Sequence, residues 1–190
     1  MQAESLLKST PALAVDVDVI SIAIDARERY DAISTRSDGN IVSRYMRDYS
    51  SDELTALEFF VELKKFLAVS AAANAKGTSI GMAGPVDEMW HTALLFTRNY
   101  RELCELLGGF VEHVPDVQDI DHVISTAGYV RFLSIYESAF GIKAPIHIWP
   151  DLISGEGGMQ AAAAAACGGC GTGGGGSCSS CSGCQGQNLG

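Results

Sequence analysis

The 190-residue chain is 47% hydrophobic, so it contains enough apolar material for one folded domain with a core. It has 13 lysines and arginines against 23 aspartates and glutamates, and the formal net charge of −10 disfavours nucleic acid and anionic membranes as partners. The sequence shows neither a secretory signal pattern nor an uncharged apolar run of about 18 residues, so we expect a cytoplasmic protein.

The start of the chain carries two competing patterns. VDVDVISIAI alternates apolar and polar residues as a strand does, whereas DARERYDAI, which follows directly, suits a helix. We predict a helix for this region, because no second strand is available to pair with the first pattern.

A helix is predicted over about 51–73, in SSDELTALEFFVELKKFLAV. Ser50 precedes Glu53 by three residues, which is the spacing of a capping box, and Gly77 lies beyond the expected end. Apolar residues follow at steps of three and four: Leu54, Leu57, Phe60 and Val61.

The strongest helix pattern is PVDEMWHTALLFTRNYRELCELLGG, which opens with a proline, has acids in its first turn and ends at a glycine pair. DIDHVISTAGYVRFLSIYESAFG predicts another helix over about 121–139, stopped by Gly141. The expected architecture is therefore an all-α, single-domain bundle of about five helices.

The stretch VDEMWH places a carboxylate and an imidazole one helical turn apart. An ideal helix advances about 100° per residue, so Asp87 and His91 lie about 40° apart on one face. His113 follows the turn after this helix, where the chain can fold back beside it. These three side chains form a candidate Zn²⁺ or Fe²⁺ site with coordination positions left for water or a substrate. Alternatively, Asp87 caps the helix or pairs with His91, and His113 bonds a backbone carbonyl.

The other face of the same helix is apolar and is predicted to enter the core. Its members are Val86, Met89, Trp90, Ala93, Phe96, Tyr100, Leu103, Cys104 and Leu107. On this face Cys104 is about 220° from His91, so the two can bind one metal ion only if the helix kinks near residues 98–99.

The sequence has no nucleophile elbow, P-loop or dinucleotide-binding glycine motif, and an enzyme is not favoured.

Three stretches carry a family resemblance: ELKKFLAV, GPVDEMWHTALLFTRNYRELCELLGGFVEHVP and YVRFLSIYESAFGIKAPIHIWP. Together they resemble the bacterial glycine-rich domain-containing proteins, which are related to plant glycine-rich domain proteins, over about residues 60–150. The resemblance implies an α-helical domain without an established activity. It also implies that Asp87, His91, Cys104 and His113 act as a set.

Composition changes after Pro150. Residues 161–190 contain no charged side chain, and 13 of the 21 glycines lie from Gly155 onward. Such a segment buries too little apolar surface to offset the entropy of ordering it. We predict a helical domain over 1–150 and a disordered Ala, Gly, Ser and Cys tail over 151–190.

Five cysteines of the tail form two C-x2-C pairs with a further cysteine: Cys167, Cys170, Cys178, Cys181 and Cys184. Such thiols can capture soft metals such as Cu(I) or Zn²⁺. The tail is also similar to the core peptides of glycine-rich microcins, whose Ser and Cys residues a modifying enzyme converts to azoles. A third possibility is a low-complexity tail with neither property.

We predict a helical binding module for an unidentified partner protein, with a modified or metal-capturing tail as the alternative.

Overall fold

The computed structural model describes residues 17–114 and 122–151. Within these ranges the chain forms helices and loops and no strand, which confirms the all-α prediction. The helices are α1 (Val17–Ile33), α2 (Gly39–Tyr49), α3 (Glu53–Ala75), α4 (Val86–Leu95), α5 (Thr97–Leu106) and α6 (His122–Phe140). None of these helices is both long enough and apolar enough to cross a membrane.

Two differences separate these six helices from the predicted set. The helix predicted to begin at Pro85 and end at the glycine pair is broken at Phe96, whose φ of −95° and ψ of 61° are not helical. The prediction of one continuous helix was therefore wrong, although neither proline nor glycine marks the break. The helix α2 was not among the predicted ranges; Ile41, Val42 and Tyr45 form its buried face at helical spacing.

The start of α3 also differs from its predicted cap. Asp52 is the N-cap and its carboxylate accepts a bond of 3.0 Å from the backbone N–H of Thr55, whereas Ser50 adopts a left-handed conformation at the end of α2. The predicted capping box was therefore wrong. Leu54 and Leu57, expected on the apolar face, are exposed, because the first turns of α3 bury the face that carries Ala56 and Phe60 instead.

Helix α3 is the centre of the bundle and packs against α1, α2, α4 and α6. Four alanines between residues 68 and 73 are buried, and their small side chains let the neighbouring helices approach closely. Just before this stretch, the ring of Phe66 lies 5.3 Å from Trp90 of α4 and 5.3 Å from Phe132 of α6. This aromatic cluster fixes the first turns of α4 on the core.

After α6 the segment 145–150 returns to the bundle. The indole of buried Trp149 donates a hydrogen bond of 2.8 Å to Glu62 on α3, and the hydroxyl of Tyr129 on α6 donates one of 2.9 Å to the carbonyl of Pro150. The segment up to residue 150 is therefore part of the folded unit. From residue 152 the tail lies outside the described residues, as do its five cysteines.

Candidate metal centre

Three polar side chains meet at one point on the surface beside the first turns of α4. Asp87, His91 and His113 each offer one ligand atom, and these atoms all lie within 4.8 Å of one another. Nε2 of His113 is 3.1 Å from one carboxylate oxygen of Asp87, and Nε2 of His91 is 3.7 Å from the other. The two imidazole rings are 4.6 Å apart between centroids. The predicted three residues thus lie together.

Asp87 and His91 reach this point because α4 places them one turn apart on the face that leaves the core. The opposite face is buried as predicted, except that Phe96 at the helix break is only half-buried. The side chains of Asp87 and His91 are 41% and 47% exposed, whereas that of His113 is 13% exposed. The cluster is consequently anchored on one side and open to solvent on the other.

His113 is positioned by a buried hydrogen-bond chain rather than by a helix. The indole of Trp90 donates a bond of 3.0 Å to the hydroxyl of Tyr100, which donates one of 2.5 Å to the carbonyl of Val111. Burial raises the pKa of Tyr100 above its ordinary value, so the phenol keeps its proton. The ring of Trp90 also packs against the imidazole of His113 at 4.5 Å. Trp90 is therefore a core anchor, as predicted, and also a wall of the site.

Glu88 belongs to the surroundings of the site and was not identified from the sequence. Its Oε2 is 3.7 Å from Nδ1 of His91 and accepts a hydrogen bond of 2.7 Å from the hydroxyl of Tyr49, at the end of α2. Burial, and then the bond to Glu88, raise the pKa of Tyr49, which keeps the phenol a donor. The three-residue spacing of Glu88 and His91 could have indicated this contact, but nothing local indicates Tyr49.

Cys104 does not join the cluster. It is buried on α5, with the hydroxyl of Tyr100 among its neighbours, and it is absent from the group of ligand atoms formed by Asp87, His91 and His113. The break at Phe96 therefore does not bring its thiol into the ligand group. A buried free cysteine acts as a small apolar side chain in the core.

The remaining histidine with a described side chain lies elsewhere. Nε2 of exposed His147 is 3.0 Å from a carboxylate oxygen of Glu58 on α3, and this pair has no further histidine or acid close enough to form a metal-binding group within the described residues. The His147–Glu58 pair can therefore be compared with the cluster as a surface carboxylate–histidine contact that has no third ligand.

The geometry distinguishes the two interpretations of VDEMWH only in part. Pro85 and not Asp87 is the N-cap of α4, and Nε2 of His113 faces Asp87 instead of the backbone carbonyl that the metal-free interpretation expected. A carboxylate and two imidazoles, directed at one point and partly open to solvent, have the ligand types and the vacant positions of a Zn²⁺ or Fe²⁺ site.

Fold and site define an all-α protein with a candidate metal centre between a helix and the loop that follows the next helix. A family model described as UCP032817-like matches residues 29–130, more than half of the chain, and the chain belongs to this family. All three clustered residues lie within the matched range. No curated protein and no solved structure matches the chain.

Proposed function

We propose that the protein is a cytoplasmic helical binding module of the glycine-rich-domain type that holds one divalent transition-metal ion, Zn²⁺ or Fe²⁺, through Asp87, His91 and His113. The observation that carries the proposal is the convergence of three ligand atoms from two separate segments within 4.8 Å. Such convergence is not required of a carboxylate on a protein surface. His147 and Glu58, by contrast, form an ordinary exposed pair of one imidazole and one carboxylate.

The separations within the cluster fit a small metal ion. Zinc bound tetrahedrally by nitrogen and oxygen at about 2.0–2.2 Å sets its ligand atoms about 3.4 Å apart. Nε2 of His113 is 3.1 Å from one carboxylate oxygen of Asp87 and Nε2 of His91 is 3.7 Å from the other, so each imidazole lies near this separation from one oxygen. The side chains of Asp87 and His91 are 41% and 47% exposed, which leaves them room to rotate toward a shared ion.

The donor set supports a transition metal over magnesium or calcium. Two imidazole nitrogens suit zinc and iron, whereas the hard cations are bound by oxygen ligands. Three protein ligands also leave a position free, and a carboxylate, imidazole or thiolate of a partner protein can occupy it. The module would then recognise its partner partly through the metal.

Metal content per chain tests the proposal. Elemental analysis by inductively coupled plasma mass spectrometry is expected to find about one zinc or iron in the full chain, and the His91→Ala, His113→Ala double variant is expected to lose it because one carboxylate alone binds such ions weakly. Circular dichroism verifies that the variant keeps its helices.

Two full-length controls locate the metal. His147→Ala removes an exposed histidine outside the cluster and is expected to keep the full metal content. Serine at all five tail cysteines is also expected to keep it. Metal that persists in the double variant, or disappears with the tail cysteines, would contradict the assignment to Asp87, His91 and His113.

A further inference from the structure

We infer that Glu88 is a positioning residue of this centre: its carboxylate accepts the Nδ1–H of His91, so that Nε2 is the nitrogen that binds the metal. The inference rests on the proposed function. It assigns the ligand atom of His91 and brings α2 into the site through Tyr49, which holds Glu88.

The two nitrogens of His91 face different carboxylates. Nε2 is 3.7 Å from Asp87 and lies on the side of the other ligand atoms, whereas Nδ1 is 3.7 Å from Glu88 on the opposite side of the ring. A histidine ligand is neutral, so the nitrogen that does not bind the metal keeps its proton and requires an acceptor. Glu88 is in place to be that acceptor.

Glu88 is held more firmly than a surface glutamate. Tyr49 comes from a different helix, donates its 2.7 Å bond to Oε2 of Glu88, and stacks on the buried ring of Tyr45 at 4.6 Å. The backbone carbonyl of Glu88 also accepts a bond of 3.0 Å from the hydroxyl of buried Thr92. The bond from Tyr49 holds Oε2 of Glu88 beside Nδ1 of His91.

A modest rotation completes the arrangement. The present 3.7 Å between Oε2 and Nδ1 exceeds a hydrogen bond, which requires about 2.7–3.2 Å. The side chain of His91 is 47% exposed and has room to turn toward the oxygen of Glu88 that Tyr49 holds. Metal binding at Nε2 would favour this movement, because a coordinated imidazole is a stronger donor at its other nitrogen.

Nuclear magnetic resonance of zinc-loaded, ¹⁵N-histidine-labelled full chain tests the assignment of atoms. We expect long-range ¹H–¹⁵N correlations to show His91 protonated at Nδ1 and coordinated through Nε2.

Zinc titration against a competing chelator should show that Glu88→Ala binds zinc about 10- to 100-fold more weakly than wild type. Glu88→Gln keeps an acceptor oxygen and should recover most of this loss, and Tyr49→Phe should cause a smaller loss.

A matched control is Glu58→Ala, which removes a carboxylate from the other histidine contact, that of His147. It is expected to leave zinc affinity unchanged. If zinc binds through Nδ1 of His91, or if Glu88→Ala binds as tightly as wild type, the role of Glu88 is wrong while the metal site stands. If the full chain binds no zinc at Asp87, His91 and His113, the proposed function itself fails.

Discussion

Alanine in place of Glu62 is expected to lower the free energy of unfolding by about 3–5 kcal/mol, the usual cost of removing one partner from a buried ion pair. Glu62 is 4% exposed on α3. Its carboxylate accepts bonds from Lys65 at 2.7 Å, from the indole of Trp149 at 2.8 Å and from the hydroxyl of Tyr136 at 3.2 Å. Without it, the Lys65 ammonium loses its counter-charge and Trp149 loses its anchor. Urea unfolding measures the change.

The control lies one turn earlier on the same helix. Glu58 pairs with His147, but both side chains are exposed, so Glu58→Ala is expected to change stability by no more than about 1 kcal/mol. A double variant, Glu62→Ala with Lys65→Ala, should lose less than the sum of the single variants, because neither charge is then left unpaired. Equal losses for Glu58→Ala and Glu62→Ala would show that the buried network contributes no special stability.

Gly84→Ala is expected to be the second most damaging single change. Gly84 has a φ of +93°, a conformation that costs a residue with a side chain about 1–3 kcal/mol. A Cβ there would also collide with the carbonyl oxygen of Ile148 and lie 2.9 Å from the ring of Pro150. Overpacking of this kind costs about a further 1–3 kcal/mol. Thermal or urea unfolding measures the loss.

Gly77→Ala separates the two causes. Gly77 also has a positive φ, +67°, but a Cβ there meets nothing within 4 Å. We expect Gly77→Ala to show the conformational cost alone and Gly84→Ala to exceed it. If both variants unfold at the same denaturant concentration, the close approach of residues 84 and 148 does not add to the loss of stability in Gly84→Ala.

The sequence predicted the helical fold because most of its signals are local. Apolar spacing located α3 and α6 within a few residues, and the absence of a pairing strand resolved the ambiguous start in favour of α1. The break at Phe96 was not predictable, since the residues around it carry no helix-stopping proline or glycine. The cap of α3 was misplaced because Ser50 and Asp52 are both good capping residues two positions apart.

The site was predictable to the extent that it lies on one helix. Asp87 and His91 follow from their four-residue spacing, and His113 from its place after the turn. What the sequence could not supply was the chain of buried bonds from Trp90 through Tyr100 that holds the His113 loop, or the contact from α2 through Tyr49. Both depend on how separate helices pack. Helical spacing did place Cys104 on the buried face, where the structure has it, and the structure leaves it outside the set that the family resemblance implied.

X-ray absorption spectroscopy at the zinc edge of the zinc-loaded full chain tests the central claim most directly, because it identifies the atoms around the metal. Coordination by Asp87, His91 and His113 predicts a first shell of nitrogen and oxygen at about 2.0–2.2 Å. The outer-shell scattering should correspond to two imidazoles. A first shell dominated by sulfur at about 2.3 Å would contradict the claim and assign the metal to cysteine thiolates.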